Sequence, residues 1–177
     1  MHVLDKFKFC PVCGSDRFEE HNDKSKQCRD CGFTYYLNPS SATVALITNK
    51  KGELLVVRRC KEPAKGTLDL PGGFCDIGET AEEGVCREVM EETGLTVSQT
   101  HYLFTIPNRY IYSGMMIPTM DQFFRCIVED TSCVKAMDDA AEAAWIAPAD
   151  IHPEDFGLTS VRQGVERVLS EGLLLNP

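Results

Sequence analysis

The stretch GGFCDIGETAEEGVCREVMEETGL, from Gly72 to Leu95, limits what this chain can fold into more than any other. Thr80 is a good N-cap residue, and Glu83 three positions on completes a T-A-E-E capping box. Gly94 stands where a left-handed residue closes a helix. These signals predict a helix from about Thr80 to Thr93. With Glu88 as the reference, Glu92 projects about 40° and Glu91 about 300° around the axis, so the three carboxylates share an arc of about 100°. Val85, Cys86, Val89 and Met90 occupy the arc from about 60° to 200°, the predicted core side. Like charges at i,i+4 cost a few tenths of a kcal/mol per pair. Such a face is either solvated surface or a cation site. Gly84 projects onto it one turn earlier, where its missing side chain would leave room for a ligand or another backbone. Gly72-Gly73 lets the backbone approach a phosphate or a metal. Arg87, at i,i+4 from Glu91, can orient a carboxylate, and Glu79 is placed to pair with Arg87.

Two C-x-x-C-G units, Cys10–Gly14 and Cys28–Gly32, stand fourteen residues apart. Each can present two thiolates from a tight turn, and the glycine after each pair permits the turn's backbone geometry. Cys10, Cys13, Cys28 and Cys31 then make a tetrahedral four-thiolate site for Zn2+. With four protein ligands no position is open to a substrate water, so the expected role is structural. A segment this short needs such a staple to fold.

A composition shift near Asn38-Pro39 separates this ribbon, residues 1–37, from a second domain, 38–177. Beyond it, Ala42–Thr48 reads as a buried strand and Leu54–Arg59 as a second, the two joined as a hairpin through Lys50–Glu53. GTLDLPGGF reads as loop or short strand. Further strands are expected at Val97–Thr105, Met120–Glu129 and Ala143–Ile146, with a short helical turn at PADI. Ser160 to about Leu173 has apolar residues at helical spacing, predicting a core-packing terminal helix. The order predicts an α+β or α/β/α sandwich around a mixed sheet, preceded by a small zinc ribbon.

Net charge is −9. That argues against broad electrostatic binding to a nucleic-acid backbone, though bound metal ions can reverse the local sign for a phosphorylated small molecule. No run is apolar enough for a membrane helix, and the N-terminus lacks a signal peptide's apolar core. Nine cysteines, four of them in paired units, fit a reducing cytoplasm with a metal site better than a disulfide framework.

Gly73, five residues, Glu79, seven residues, Arg87-Glu88-Val89, one residue, Glu91-Glu92, one residue, Gly94-Leu95: this series resembles a complete Nudix box, with no departure at a fixed position. The resemblance extends over roughly Pro39 to Ile151. It implies a Nudix fold and Mg2+- or Mn2+-dependent hydrolysis of a nucleoside diphosphate linked to another group. Glu88, Glu91 and Glu92 would be metal ligands, with the Gly72 carbonyl as a further donor. Glu88 or Glu91 would be the first candidates to take the water's proton, with Glu79 and Arg87 orienting. Asp138, Asp139 or Glu142, before the Trp145 strand, could add an acid.

A zinc ribbon ahead of a Nudix domain resembles the NADH pyrophosphatases, which cut NAD(H) to AMP and the nicotinamide mononucleotide. Those carry an S-Q-P-W-P-F-P-x-S array, where this chain has TIPNRYIYSGMMIPTMDQFF. The expected substrate is an NAD(H)- or ADP-ribose-like diphosphate. A nucleoside-triphosphate or dinucleoside-polyphosphate pyrophosphohydrolase is the alternative. A non-catalytic nucleotide-sensing or protein-binding module is the alternative of another class. Tyr110 and Tyr112 are candidates for stacking on a base, and Arg58, Arg59 and Arg109 for phosphate contacts. Nudix relatives are often dimers, so a homodimer is a further expectation.

Overall fold

The computed structural model describes residues 2–138 and 140–174. Near the N-terminus an antiparallel three-stranded ribbon is formed by β1 (Phe18–Asn22), β2 (Ser25–Cys28) and β3 (Thr34–Tyr36), in that spatial order. Cys10, Phe18 and Cys28 form its small core, with Phe7, Phe33 and Tyr35 packed against them.

The remainder contains two further three-stranded sheets and two helices. β4 (Ser40–Leu46), β7 (Val97–Tyr112) and β8 (Met115–Val128) make a mixed sheet in the order β4-β8-β7. β4 runs parallel to β8, while β7 and β8 form a long antiparallel hairpin. β5 (Leu54–Arg59), β6 (Leu68–Asp69) and β9 (Ala140–Ile146) make an antiparallel sheet in the order β6-β5-β9. Helices α1 (Ala81–Thr93) and α2 (Thr159–Ser170) cover opposite faces.

The period-2 geometry of strands explains why β4 and β5 read as continuous apolar runs. Val44 and Leu46 of β4, Leu54 and Val56 of β5 and Phe123 of β8 join one cluster with Val161, Val165 and Val168 of α2. Their neighbours Ala45, Ile47, Leu55 and Phe124 join a second cluster with Val85 and Val89 of α1. Both strand faces are buried, as an α/β/α sandwich requires. At Gly164 in α2, an added Cβ would lie 2.2 Å from Cε1 of Phe123. Gly164→Ala should therefore destabilise the fold by about 1–3 kcal/mol through overpacking, read as a lowered thermal midpoint.

The expected β4–β5 hairpin does not form. The two strands meet at the Thr48↔Leu54 bridge and then part into different sheets. A strand buried on both faces does not specify its edge partner, and β4 takes β8 while β5 takes β6 and β9. The parting opens a cleft between the sheets. β7 and β8 extend past the predicted spans, to Tyr112 and back from Met115, turning at Ser113-Gly114. Three-residue 3-10 turns at Pro148–Asp150 and Pro153–Asp155 lead into α2. Among the described residues no helix is long and apolar enough to cross a membrane.

Candidate active site and zinc site

Helix α1 starts as predicted. Thr80 Oγ1 accepts from Glu83 N, the Glu83 carboxylate accepts from Thr80 N, and Gly94 closes the helix at φ 70°. Val85 and Val89 are fully buried, but Met90, at the margin of the predicted core arc, is 41% exposed.

The Pro71–Cys75 segment lies against β4. Ala45 N donates to Pro71 O, Thr43 N to Gly73 O, and Cys75 N to Ser41 O. Gly72 sits between the two committed carbonyls, and its N–H donates to Glu92 Oε2 at 3.1 Å. A Cβ on Gly72 would lie 2.1 Å from the Thr43 carbonyl oxygen, and one on Gly73 2.5 Å from Glu88 Oε1. Gly72 is thus required by the close approach of backbone, whereas a side chain at Gly73 would push the Glu88 carboxylate out of its place. Gly84 differs from expectation. The space beside it is taken by the Glu79 carboxylate and the Cys75 thiol, at 3.1 and 3.2 Å from where a Cβ would stand.

Arg87 is the hub. Its Nε and Nη2 donate to the two Glu79 oxygens at 2.9 and 3.0 Å. Its Nη1 donates to Glu88 and Glu91, each at 2.9 Å, and Nη2 also to the Phe74 carbonyl. Those five bonds match the five N–H donors a guanidinium has. The Arg87 bonds lead in holding the Glu79 carboxyl below its usual range. Burial pushes the Glu88 carboxyl up, against the pull of Arg87. Glu79, Glu88 and Glu91 all accept from the single guanidinium of Arg87, which concentrates carboxylates at this side of α1. Carboxylates crowded in this way favour a bound cation, and hard oxygen donors suit Mg2+ or Mn2+. The residues present fit the divalent ions that the sequence implied.

The cleft has a volume of about 370 Å³, within the usual range of ligand sites. Gly72, Gly73, Arg87, Glu88, Glu91 and Glu92 line one end. Asp138 also lines it, carried there by a segment whose Lys135 and Met137 amides donate to the Thr93 and Glu92 carbonyls at the end of α1. Tyr110 lines it too, its ring edge-on to Phe74 with centroids 5.5 Å apart.

Other expected residues lie elsewhere. Arg58 and Glu142 are cross-strand partners of β5 and β9, and Arg58 Nε pairs with Glu142 Oε2 at 2.9 Å outside the cleft. Both point away because side chains alternate along β5. Arg59, one residue on, is the arginine that lines the cleft. Tyr112 is 63% exposed near the hairpin tip, away from the cleft lining. Asp139 lies outside the described residues. Sequence reasoning missed Asp69, Asn108, Thr119 and Asp121, all lining the cleft. For Asp69 and Asp121 the signal was a lone acid in an apolar strand context, as in TLDLP and TMDQFF, while nothing in the sequence marked Asn108 or Thr119.

In the ribbon, Cys10 Sγ lies 3.6 Å from Cys31 Sγ, and Cys13 Sγ 3.6 Å from Cys28 Sγ. All four sulfurs lie within 4.8 Å of one another. A tetrahedron with Zn–S bonds of about 2.3 Å has sulfur–sulfur edges of about 3.8 Å, so the cluster fits zinc. The two knuckles repeat each other. Gly14 N donates to Cys10 O and Gly32 N to Cys28 O, with glycine φ values of 74° and 76°. The Cys31 backbone N–H leads in pulling the Cys28 thiol below its usual range. Against backbone N–H bonds from Ser15 and Phe33, neighbouring thiols and burial push the thiols of Cys13 and Cys31 up, as expected of four sulfurs crowded together.

A two-sheet sandwich with a capped acidic helix at its cleft, ordered around one arginine, defines a known class of domain. The NUDIX domain model matches residues 38–164, and the chain belongs to that family. The NAD-capped RNA hydrolase NudC of Vibrio cholerae is 27% identical over 171 residues, covering 96% of this chain and 60% of that protein. The chain thus spans about three fifths of that relative's length. That relative's printed name gives a capped RNA as its substrate. A NUDIX hydrolase from Nitrosomonas europaea superposes with a TM-score of 0.73 at 21% identity, over 96% of this chain and 94% of that one. A bifunctional NMN adenylyltransferase/ADP ribose pyrophosphatase from Francisella tularensis, complexed with AMP and a manganese ion, superposes with a TM-score of 0.59. It is 23% identical and covers 77% of this chain and 42% of that one.

Proposed function

We propose that this chain hydrolyses the diphosphate linkage of a nucleoside diphosphate derivative, favouring an NAD(H)- or ADP-ribose-like substrate, and releases a nucleoside monophosphate. The observation that carries this reading is the convergence of Glu88, Glu91, Glu92 and Asp138 on one cleft with the Gly72 turn and the Arg87 hub. The relative's printed name, NAD-capped RNA hydrolase, supports the NAD-like substrate, as a free dinucleotide or as the end of an RNA. Residues 1–37 act as a zinc ribbon and 38–177 as the hydrolase domain, a division supported by the ribbon's separate core and by a family match that starts at residue 38.

Glu88, Glu91 and Glu92, with the Gly72 carbonyl, would hold Mg2+ or Mn2+, which supplies charge neutralisation on the phosphate oxygens and a more acidic water. Glu92 also braces the Gly72 turn. Arg87, clamped by both oxygens of Glu79, fixes the carboxylates of Glu88 and Glu91 so that little reorganisation is left for the reaction. Tyr110, supported by Phe74, offers a ring surface for the base. Water oxygen bonds to one phosphorus as the bridging P–O bond breaks. The water's proton passes to a carboxylate, and the departing phosphate keeps the bond's electron pair.

Of the acids between β8 and the Trp145 strand, Asp138 lines the cleft, as Asp76 of the loop before α1 also does, and Glu142 is held by Arg58 outside it. Asp138→Asn should lower kcat by about 10²-fold, the usual scale of general acid–base catalysis, while Glu142→Gln leaves it unchanged. Steady-state rates under saturating Mn2+ measure both. A screen of NADH, ADP-ribose, diadenosine polyphosphates, sugar nucleotides and nucleoside triphosphates tests the substrate class. Turnover of triphosphates alone, with pyrophosphate released, would replace this reading with the alternative.

A further inference from the structure

Strand β4 presents a graded face to α1. Ser41, Thr43, Ala45 and Ile47 alternate onto one side of the strand, and Ala45 and Ile47 pack in the cluster that contains Val85 and Val89 of α1. The first two positions are polar. Ser41 Oγ accepts from Gln122 Nε2 at 2.8 Å and lies 3.2 Å from Cys75 Sγ. Thr43 is 2% exposed and lines the cleft, yet its Oγ1 has no hydrogen-bond partner among the described residues. Buried hydroxyls are normally paired, and leaving one unpaired costs free energy. A valine, nearly the same shape, would fill this position without that cost.

What faces Thr43 follows from the strand register. Ala42 bridges Phe74 in the antiparallel sense and Thr43 N donates to Gly73 O, so Thr43 and Gly73 stand opposite each other and share a face. That face looks towards α1. Cys75, opposite Ser41 in the same register, has its Sγ 3.2 Å from where a Cβ on Gly84 of α1 would stand. At Gly73 itself a Cβ would lie 2.5 and 2.8 Å from the two Glu88 oxygens. The Glu88 carboxylate therefore stands over Gly73, and the Thr43 hydroxyl is the adjacent polar group on the floor beneath the helix. Arg87 binds Glu88 through Oε1, at 2.9 Å, and the Glu88 side chain is 15% exposed. A donor without an acceptor is thus set beside a carboxylate whose Oε2 takes none of the Arg87 bonds.

We propose that Thr43 is a positioning residue for the α1 carboxylates, its hydroxyl donating to Glu88, directly or through one water, in the cation-loaded site. This role rests on the metal-dependent hydrolase reading and adds to it a group that holds a metal ligand from behind. Such groups fix the orientation of the ligand, and losing one weakens metal affinity by about 10- to 100-fold. In the protein without the divalent cation the same hydroxyl is an uncompensated buried group, so its removal should not weaken the fold. A threonine with a purely structural role would give the opposite pair of effects.

The test is a Mn2+ titration of the zinc-loaded full chain, read from the electron paramagnetic resonance signal of free Mn2+, with thermal midpoints recorded before Mn2+ is added. Thr43→Val keeps the shape and removes the hydroxyl. It should raise the Kd for Mn2+ by about 10-fold or more, with a midpoint at or above the parent's. Thr43→Ser keeps the hydroxyl and should bind Mn2+ within about threefold of the parent. An affinity of Thr43→Val within about twofold of the parent's overturns the role. An equal loss in Thr43→Ser, or a lowered midpoint in Thr43→Val, overturns it too. Each of these results leaves the proposed function intact. A parent chain that binds Mn2+ no more tightly than Glu91→Gln does overturns the metal reading, and this role with it.

Discussion

Glu91→Gln and Glu88→Gln should each lower the rate of diphosphate cleavage by about 10³-fold, close to 4 kcal/mol of lost transition-state stabilisation. The size follows from their position. Both carboxylates share Arg87 Nη1 at the cleft end of α1, and both belong to the crowd of carboxylates around it. An amide keeps the shape but loses the charge a divalent cation needs. Neither change should unfold the protein. Glu91 is 45% exposed, and removing one of several like charges around one arginine relieves repulsion as well as breaking a bond. Circular dichroism and the thermal midpoint should thus stay near those of the parent while kcat collapses. Full activity in either variant would refute the assignment of this helix as the catalytic element.

Removal of zinc should have a larger effect, on a different part of the molecule. The ribbon's hydrophobic cluster has three buried residues, two of them cysteines, with a few rings around it. So small a cluster does not offset the chain entropy of ordering 37 residues. Structural zinc supplies about 10–16 kcal/mol of apparent folding free energy in small zinc modules at neutral pH. Cys28→Ser, or a strong chelator, should release one zinc per chain and abolish the ribbon's dispersed amide signals. The signals of residues 38–174 should persist, because their two core clusters draw no residue from the ribbon. Retention of ribbon signals in zinc-free protein would contradict the structural role.

The local features were legible in the sequence because local chemistry decides them. Capping at Thr80, closure at Gly94, the Arg87–Glu79 pair and the cysteine knuckles all depend on residues close in the chain. What was not legible depends on partners far away. Leu54–Arg59 reads as an apolar run whichever strand it pairs with, so the parting from β4 that opens the cleft left no trace. The distinction between Arg58 and Arg59 is a matter of one residue's parity, which becomes meaningful only once β5 has a register with β9. Asp138 reaches the cleft through backbone bonds from Lys135 and Met137 to the end of α1, a contact between side-chain-independent groups that no residue type announces. The missing side chain at Gly84 does leave room, but Glu79 and Cys75 occupy it.

The most direct test of the central claim is the product mixture formed from NADH by the full chain with Mg2+ or Mn2+. Chromatography with mass detection should find AMP and reduced nicotinamide mononucleotide in equal amounts, formed about 10³-fold more slowly by Glu91→Gln. Intact NADH, together with nucleoside triphosphates cut to monophosphate and pyrophosphate, would contradict the account.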